Sequence, residues 1–88
     1  MILTKNDAIQ KEVVRIISRT KEVRPARIRF SSRLARDFGF DTVDVVDIIL
    51  ALEKTFKITI PDEVPINTVG DFVNYVSDRL MKKGQLMG

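Results

Sequence analysis

Residues 37–63, DFGFDTVDVVDIILALEKTFKITIPDE, carry the strongest structural signals in the chain. Gly39 permits a turn, Asp41 suits the N-cap position of a helix, and Thr42 places a hydroxyl at the first helical residue. The apolar residues that follow recur at helical spacing. The stretch therefore predicts a helix that begins at Asp41 or Thr42 and ends at Phe56.

The predicted helix carries two apolar stripes. One stripe is wide enough to face a core, and the other lies on a different face beside Asp44 and Asp47. Asp44 lies in the first turn, where its charge meets the positive end of the helix. Periodicity alone leaves the second stripe open as either core or partner surface. The core stripe is Val45, Ile48, Ile49, Leu52 and Phe56, and the second stripe is Val43, Val46 and Leu50.

Two further amphipathic helices flank this region. Residues 4–19 carry apolar side chains at three- and four-residue steps, with Thr4 as the N-cap. The last helix follows the N-cap Thr68, has Asp71 at the spacing of a capping box, and ends at Gly84. Their apolar faces consist of Ala8, Ile9, Val13, Ile16 and Ile17 in the first helix, and Val69, Phe72, Val73, Val76 and Leu80 in the last.

The connecting segments have different patterns. Residues 20–40 show no helical period, and Pro25 disfavours helix at the residue before it. Residues 58–61, ITIP, are extended, and Pro61 opens a very short helix over residues 61–63. The chain is therefore predicted to be all-α, a four-helix bundle with three main helices, one short helix and a long first loop.

Length and composition limit the architecture. With 88 residues the chain has room for one core, and we expect one domain over residues 1–84 and a disordered tail over residues 85–88. The longest apolar run, residues 48–52, is far shorter than the roughly 20 residues that span a bilayer, and the N-terminus has no signal-peptide pattern. We expect a cytoplasmic monomer with no stable membrane insertion.

The absence of Cys and His excludes several kinds of chemistry. Disulfides, thiolate nucleophiles, the usual structural zinc sites and imidazole acid–base catalysis all require one of these residues. The carboxylates show no arrangement with a nucleophile or pocket. The sequence therefore favours a binding protein over an enzyme, and it predicts neither a catalytic residue nor a metal ligand.

Charge is divided unevenly along the chain. Residues 1–36 contain ten Lys/Arg and three acids, a net charge of +7, whereas residues 37–71 have a net charge of −6. A charged run is usually a solvated face. The functional alternative is contact with an acidic partner, anionic lipid or nucleotide phosphates. Nucleic-acid binding is not expected, because only Phe30 lies among the basic residues and such surfaces need interleaved aromatics.

Residues 37–63 resemble the acyl carrier protein family. The family pattern is D-L-G-x-D-S-L, an acidic and apolar helix ending in A-L-E-x-x-F, and an I-P-D-E turn. The similarity continues through T-V-G-D-F-V-N-Y-V at residues 68–76 and covers nearly the whole chain. It implies the four-helix bundle of that family. The matching positions are Asp37, Gly39, Asp41, Ala51, Leu52, Glu53, Phe56, Ile60, Pro61, Asp62 and Glu63.

The resemblance also implies a cofactor and its attachment residue. In this family the Ser of D-S-L receives phosphopantetheine from coenzyme A, and the thiol of that arm carries an acyl group as a thioester. Thr42 occupies the Ser position, next to Asp41, and both are the predicted cofactor-binding residues. By itself a hydroxyl here is an ordinary helix-start residue, although the free amides of a helix N-terminus favour an anion.

The function implied is carriage of an acyl or related group for fatty-acid-type or specialised lipid or polyketide biosynthesis. The alternative is a carrier-like interaction protein that lacks the arm because Thr replaces Ser. The implied partners are a phosphopantetheinyl transferase and acyl-handling enzymes with basic patches. The predicted partner-binding residues are Val43, Asp44, Val46, Asp47, Leu50 and Glu53. Residues that either line an acyl cleft or simply pack in the core are Phe30, Leu34, Phe38, Ile49, Phe56, Ile60, Ile66, Val73 and Val76.

Overall fold

The chain folds into helices joined by irregular segments. A computed structural model describes the backbone of residues 5–61 and 64–87, with side chains over residues 8–61 and 64–82. Four α-helices form in these ranges, and a single 3-10 turn, Pro25–Arg27, follows the first of them. The predicted all-α bundle with three long helices is confirmed, but the short helix that the structure describes is not the one predicted over residues 61–63. The helices are α1 (Lys5–Lys21), α2 (Leu34–Phe38), α3 (Thr42–Phe56) and α4 (Val69–Met87).

One apolar core joins the three long helices, and α1 packs against both α3 and α4. The predicted apolar faces supply most of it, except that Ala8 is exposed. Val45, Ile49 and Phe56 of α3 are half-buried at the edge of the core. The fully or nearly fully buried residues are Ile9, Val13, Ile16, Ile17, Ile28, Leu34, Phe40, Ile48, Leu52, Ile60, Val69, Phe72, Val73 and Val76.

The segment predicted as a long loop contains α2, which the sequence analysis missed. A five-residue helix is too short to show a helical period, so its formation depends on tertiary packing. Leu34 anchors it in the core, and Gly39 ends it in the left-handed conformation with φ 70°. The short helix predicted over residues 61–63 involves residues 62–63, which lie outside the described residues.

The segment before α2 is joined to the start of α4 by backbone hydrogen bonds. The Leu34 N–H donates to the Asn67 carbonyl at 3.0 Å, and the Val69 N–H donates to the Ser32 carbonyl at 3.0 Å. A third bond runs from the Gly70 N–H to the carbonyl of Phe30 at 2.8 Å. These bonds fix α2 beside the N-terminus of α4.

The ends of the outer helices were predicted with mixed success. The Thr68–Asp71 capping box is confirmed, because the Asp71 N–H donates to Thr68 Oγ1 at 3.1 Å and the Thr68 N–H donates to Asp71 Oδ2 at 3.0 Å. The predicted end at Gly84 is wrong, since α4 continues to Met87. The N-cap predicted at Thr4 lies outside the described residues. The domain limit at residue 84 and the disordered tail stay predictions.

Within the described residues, no helix is both long enough and apolar enough to cross a membrane.

Gly39 provides a test of the α2–α3 turn. Gly39→Ala is expected to lower the free energy of unfolding by about 1–2 kcal/mol, because an L-residue is disfavoured at this left-handed φ. A built Cβ meets no atom within 4 Å, so no steric clash adds to that cost. Urea denaturation measures the change. Gly39→Asn is the control and should lose less, because Asn tolerates the left-handed region; an equal loss in both variants would contradict the conformational explanation.

Candidate functional site

Thr42 is the first residue of α3 and is exposed. The predicted N-cap at Asp41 is confirmed within a reciprocal capping box. Asp41 Oδ1 accepts the Asp44 N–H at 3.0 Å, and Asp44 Oδ2 accepts the Asp41 N–H at 3.1 Å. The Thr42 hydroxyl forms no hydrogen bond to any part of the chain that the structure describes. Two aspartates therefore form the helix start, and the hydroxyl stays available to solvent.

Lys21, the last residue of α1, holds this helix start in place. Its Nζ donates to the Gly39 carbonyl at 3.0 Å and pairs with Asp44 Oδ2 at 2.9 Å. The same ammonium group lies 5.7 Å from the centroid of the Phe40 ring, within cation–π range. Sequence analysis did not identify Lys21, because 18 residues separate it from Gly39 and no local pattern connects them.

Asp44 is charged over a wider pH range than an ordinary aspartate. The hydrogen bond from Lys21 is the main cause of its lowered pKa, and the backbone N–H of Asp41 adds to it. Burial acts in the opposite direction. A carboxylate with a lowered pKa in the folded state stabilises the fold above its unfolded-state pKa, and that stabilisation is lost as the pH falls through the folded-state pKa.

This linkage predicts a pH-dependent contribution from Asp44. Between roughly pH 5 and pH 2, the free energy of unfolding should fall less steeply in Asp44→Asn than in the native protein. Urea denaturation over this range measures it. Asp47→Asn, which removes an exposed acid of the same helix, is the matched control for the charge change. Identical slopes in all three proteins would rule out the Asp44 contribution.

An open cleft of about 560 Å³ lies beside Thr42. Residues of α2, the start of α3 and the segment before α4 form its walls. Its lining residues are Arg33, Leu34, Ala35, Arg36, Phe40, Asp41, Thr42, Val45, Ile66, Asn67, Thr68 and Asp71.

The predicted acyl-cleft residues mostly lie elsewhere. Leu34 and Ile66 line this cleft, but the other seven do not. Ile60, Val73 and Val76 are buried in the core, because their side chains fill the space between the long helices. The half-buried residues among the seven pack against that core, and Phe30, 45% exposed, has its ring over the Cα of Gly70. The half-buried residues are Phe38, Ile49 and Phe56.

The second stripe of α3 is exposed rather than packed. Val43, Val46 and Leu50 are 66%, 43% and 56% exposed, and their spacing places them along one side of the helix. Asp47 is exposed beside them. Of the two interpretations that the periodicity left open, the structure favours a surface over core packing.

Two of the predicted partner-binding acids form intramolecular contacts. Asp44 belongs to the capping box and pairs with Lys21, and its side chain is 17% exposed. The Glu53 carboxylate accepts the N–H of Ile60 at 2.8 Å, which ties the end of α3 to the following segment. Asp47, by contrast, is exposed beside the apolar stripe and forms no ion pair with any residue that the structure describes.

Comparison with known proteins identifies the family. The family described as "Phosphopantetheine attachment site" matches residues 11–76. An acyl carrier protein of Amoebophilus asiaticus is 40% identical over 77 residues, covering 85% of this chain and 96% of the relative. The chain belongs to the acyl carrier protein family. Acyl carrier proteins of Rickettsia bellii (34% over 79 residues; 88% of this chain, 92% of the relative) and Wolinella succinogenes (38% over 71 residues; 78% and 93%) are similar as well.

As a member of this family, the protein has covalently attached phosphopantetheine as its cofactor. The described residues fit such a group. The Thr42 hydroxyl is exposed at the N-terminus of α3 with no hydrogen bond to the described residues, and an open cleft adjoins it. The amides and macrodipole of a helix N-terminus favour the negative charge of a phosphodiester.

Proposed function

We propose that Thr42 carries the phosphopantetheine arm and that the protein shuttles an acyl or related group for fatty-acid-type or specialised lipid or polyketide biosynthesis. The observation that carries this proposal is the exposed Thr42 hydroxyl at the start of α3, which lies beside the cleft and has no hydrogen bond to the described residues. The protein acts as a carrier rather than as a catalyst. A cytoplasmic location and a monomeric state stay predictions.

The chain's own residues present and hold the attachment point. When bound, phosphopantetheine supplies the thiol on which the acyl group is held as a thioester. The Thr42 oxygen forms the bond to phosphorus, the adenosine bisphosphate half of coenzyme A leaves, and the hydroxyl proton passes to the transferase. Lys21 and the capping box fix the start of α3, the segment that presents the hydroxyl. The methyl group of Thr42 is the feature that the transferase must accommodate.

Intact-mass spectrometry tests this assignment. Incubation of the native protein with coenzyme A and a broad-specificity phosphopantetheinyl transferase should add the mass of one arm, and fragmentation should place it on Thr42. A native protein that stays unmodified under conditions in which Thr42→Ser is modified would support the alternative, an interaction protein without the arm.

We further propose that the exposed side of α3 docks the transferase and acyl-handling enzymes. Val43, Val46 and Leu50 provide an apolar contact, and Asp47 provides a charge for a basic patch on the partner. Charged residues at the rim of an interface act mainly on association rate and salt dependence. Asp44 and Glu53 support this surface through their internal hydrogen bonds.

Charge reversal at Asp47 tests the docking face. Asp47→Lys should raise the KM of the transferase for this protein on the order of tenfold at low salt, with a smaller effect at high salt. Asp78→Lys makes the same charge change on α4, where it removes only an exposed ion pair with Lys82. If both variants raise KM equally, net charge rather than the α3 face is responsible.

A further inference from the structure

Two arginines line the same cleft as Thr42. Arg33 is the N-cap residue of α2 and Arg36 lies three residues later, so both lie on one side of this helix. Both are exposed, and neither has an ion pair with any described acidic residue. The wall of the cleft formed by α2 therefore offers two guanidinium groups with no partner in the described part of the chain.

The two acids that line the cleft form no ion pair with these arginines. Asp41 Oδ1 accepts the N–H of Asp44 in the capping box of α3. Asp71 Oδ2 accepts the N–H groups of Asn67 at 2.8 Å and Thr68 at 3.0 Å. Both carboxylates therefore bind backbone amides.

The rest of the cleft wall is largely apolar. Leu34, Phe40, Val45 and Ile66 contribute to it, and Leu34 and Phe40 are buried. A guanidinium group donates two parallel hydrogen bonds to a phosphate or a carboxylate. The cleft thus combines apolar side chains with two guanidinium groups of suitable chemistry for an oxyanion.

We propose that Arg33 and Arg36 bind an oxyanion of the group attached to Thr42, either the phosphodiester of the arm or a carboxylate at the end of the acyl cargo. This rests on the proposed function, because the ligand reaches the cleft from Thr42. The site selects for arms or cargo that bring negative charge into the cleft, and it gives the basic segment before α3 a specific role.

The test measures how attachment of the arm and its cargo at residue 42 changes the melting temperature, Tm. Arg33→Gln/Arg36→Gln is compared with the matched control Arg24→Gln/Arg27→Gln, which removes the same charge outside the cleft. All proteins carry Thr42→Ser, so that attachment does not depend on the threonine. Failure of the native Thr42 to accept the arm therefore leaves this test intact.

Each protein is examined unmodified, with the arm alone, with a glutaryl group on the arm, and with the methyl ester of that group. Attachment of the arm, with or without cargo, should raise the Tm of the protein with native arginines. In the Arg33→Gln/Arg36→Gln variant this increase should be smaller by about 4–8 °C, whereas the Arg24→Gln/Arg27→Gln control should show the full increase. If the variant already shows a smaller increase in Tm when it carries the arm without cargo, the phosphodiester is the ligand of the arginines. Loss confined to the glutaryl form identifies the carboxylate.

Two outcomes would overturn the proposal: no gain on any loading in the protein with native arginines, or equal losses in the cleft and control variants. The ³¹P chemical shift of the arm provides a second measurement and should change in the cleft variant if the phosphodiester is the ligand. The Arg33 side chain makes no capping hydrogen bond, so α2 should form without it. If the Arg33→Gln/Arg36→Gln variant does not fold, the single variant Arg36→Gln replaces it in the same comparison.

Discussion

Thr42→Ala is expected to abolish the coenzyme A-dependent mass gain completely. Alanine has no hydroxyl, so no phosphoester can form at the start of α3. The helix itself should persist, because Asp41 and Asp44 form the capping box without the Thr42 side chain. The measurement is intact-mass spectrometry after incubation with the transferase, together with circular dichroism of the unmodified variant.

Thr42→Ser is the matched control and should be modified at least as fast as the native protein, because its primary hydroxyl lacks the methyl group. Persistent modification of Thr42→Ala would place the arm elsewhere. Ser31 is exposed, whereas Ser32 is buried and its Oγ accepts the Arg29 N–H at 2.9 Å. Modification mapped to Ser31 would therefore contradict the assignment to Thr42.

Phe72→Ala is expected to lower the free energy of unfolding by about 3–5 kcal/mol. Phe72 is 0% exposed and has the largest volume among the fully buried residues that the structure describes. Its removal takes a ring out of the core and leaves a cavity between the long helices. Domains of this size are typically stable by about 5–15 kcal/mol in total, so the variant should lose a large part of its stability. Urea denaturation followed by circular dichroism gives the change.

Phe30→Ala is the control for Phe72→Ala, since it deletes the same ring at a site that is 45% exposed. The Phe30 ring lies over Gly70, where a built Cβ would come within 2.5 Å of it. We expect a loss of about 1 kcal/mol or less, because partly exposed side chains give up less apolar burial. Losses of equal size in the two variants would contradict the assignment of the core to α1, α3 and α4.

The helices were predictable wherever their signals are local. The cap at Asp41, the capping box at Thr68 and Asp71, and the apolar faces of the long helices follow from residues three or four positions apart. A local signal for α2 also exists: Gly39 after Phe38 is typical of a helix end. It was missed because a five-residue helix adds no period to support it.

The surroundings of Thr42 depended on contacts between distant residues. Lys21 reaches Gly39 and Asp44 only because α1 ends beside the start of α3. The cleft forms because backbone hydrogen bonds fix the segment before α2 to the segment before α4. The same packing directs Glu53 to the Ile60 amide rather than outward.

Caps and apolar periodicity act over one or two turns, so local sequence is enough to locate the long helices and the hydroxyl at a helix start. The packing of the helices sets which apolar stripe of α3 is exposed and which charged groups of the described residues lack an ion pair. Those outcomes depend on which surfaces the other helices cover. Arg33 and Arg36 meet Thr42 across one cleft for the same reason.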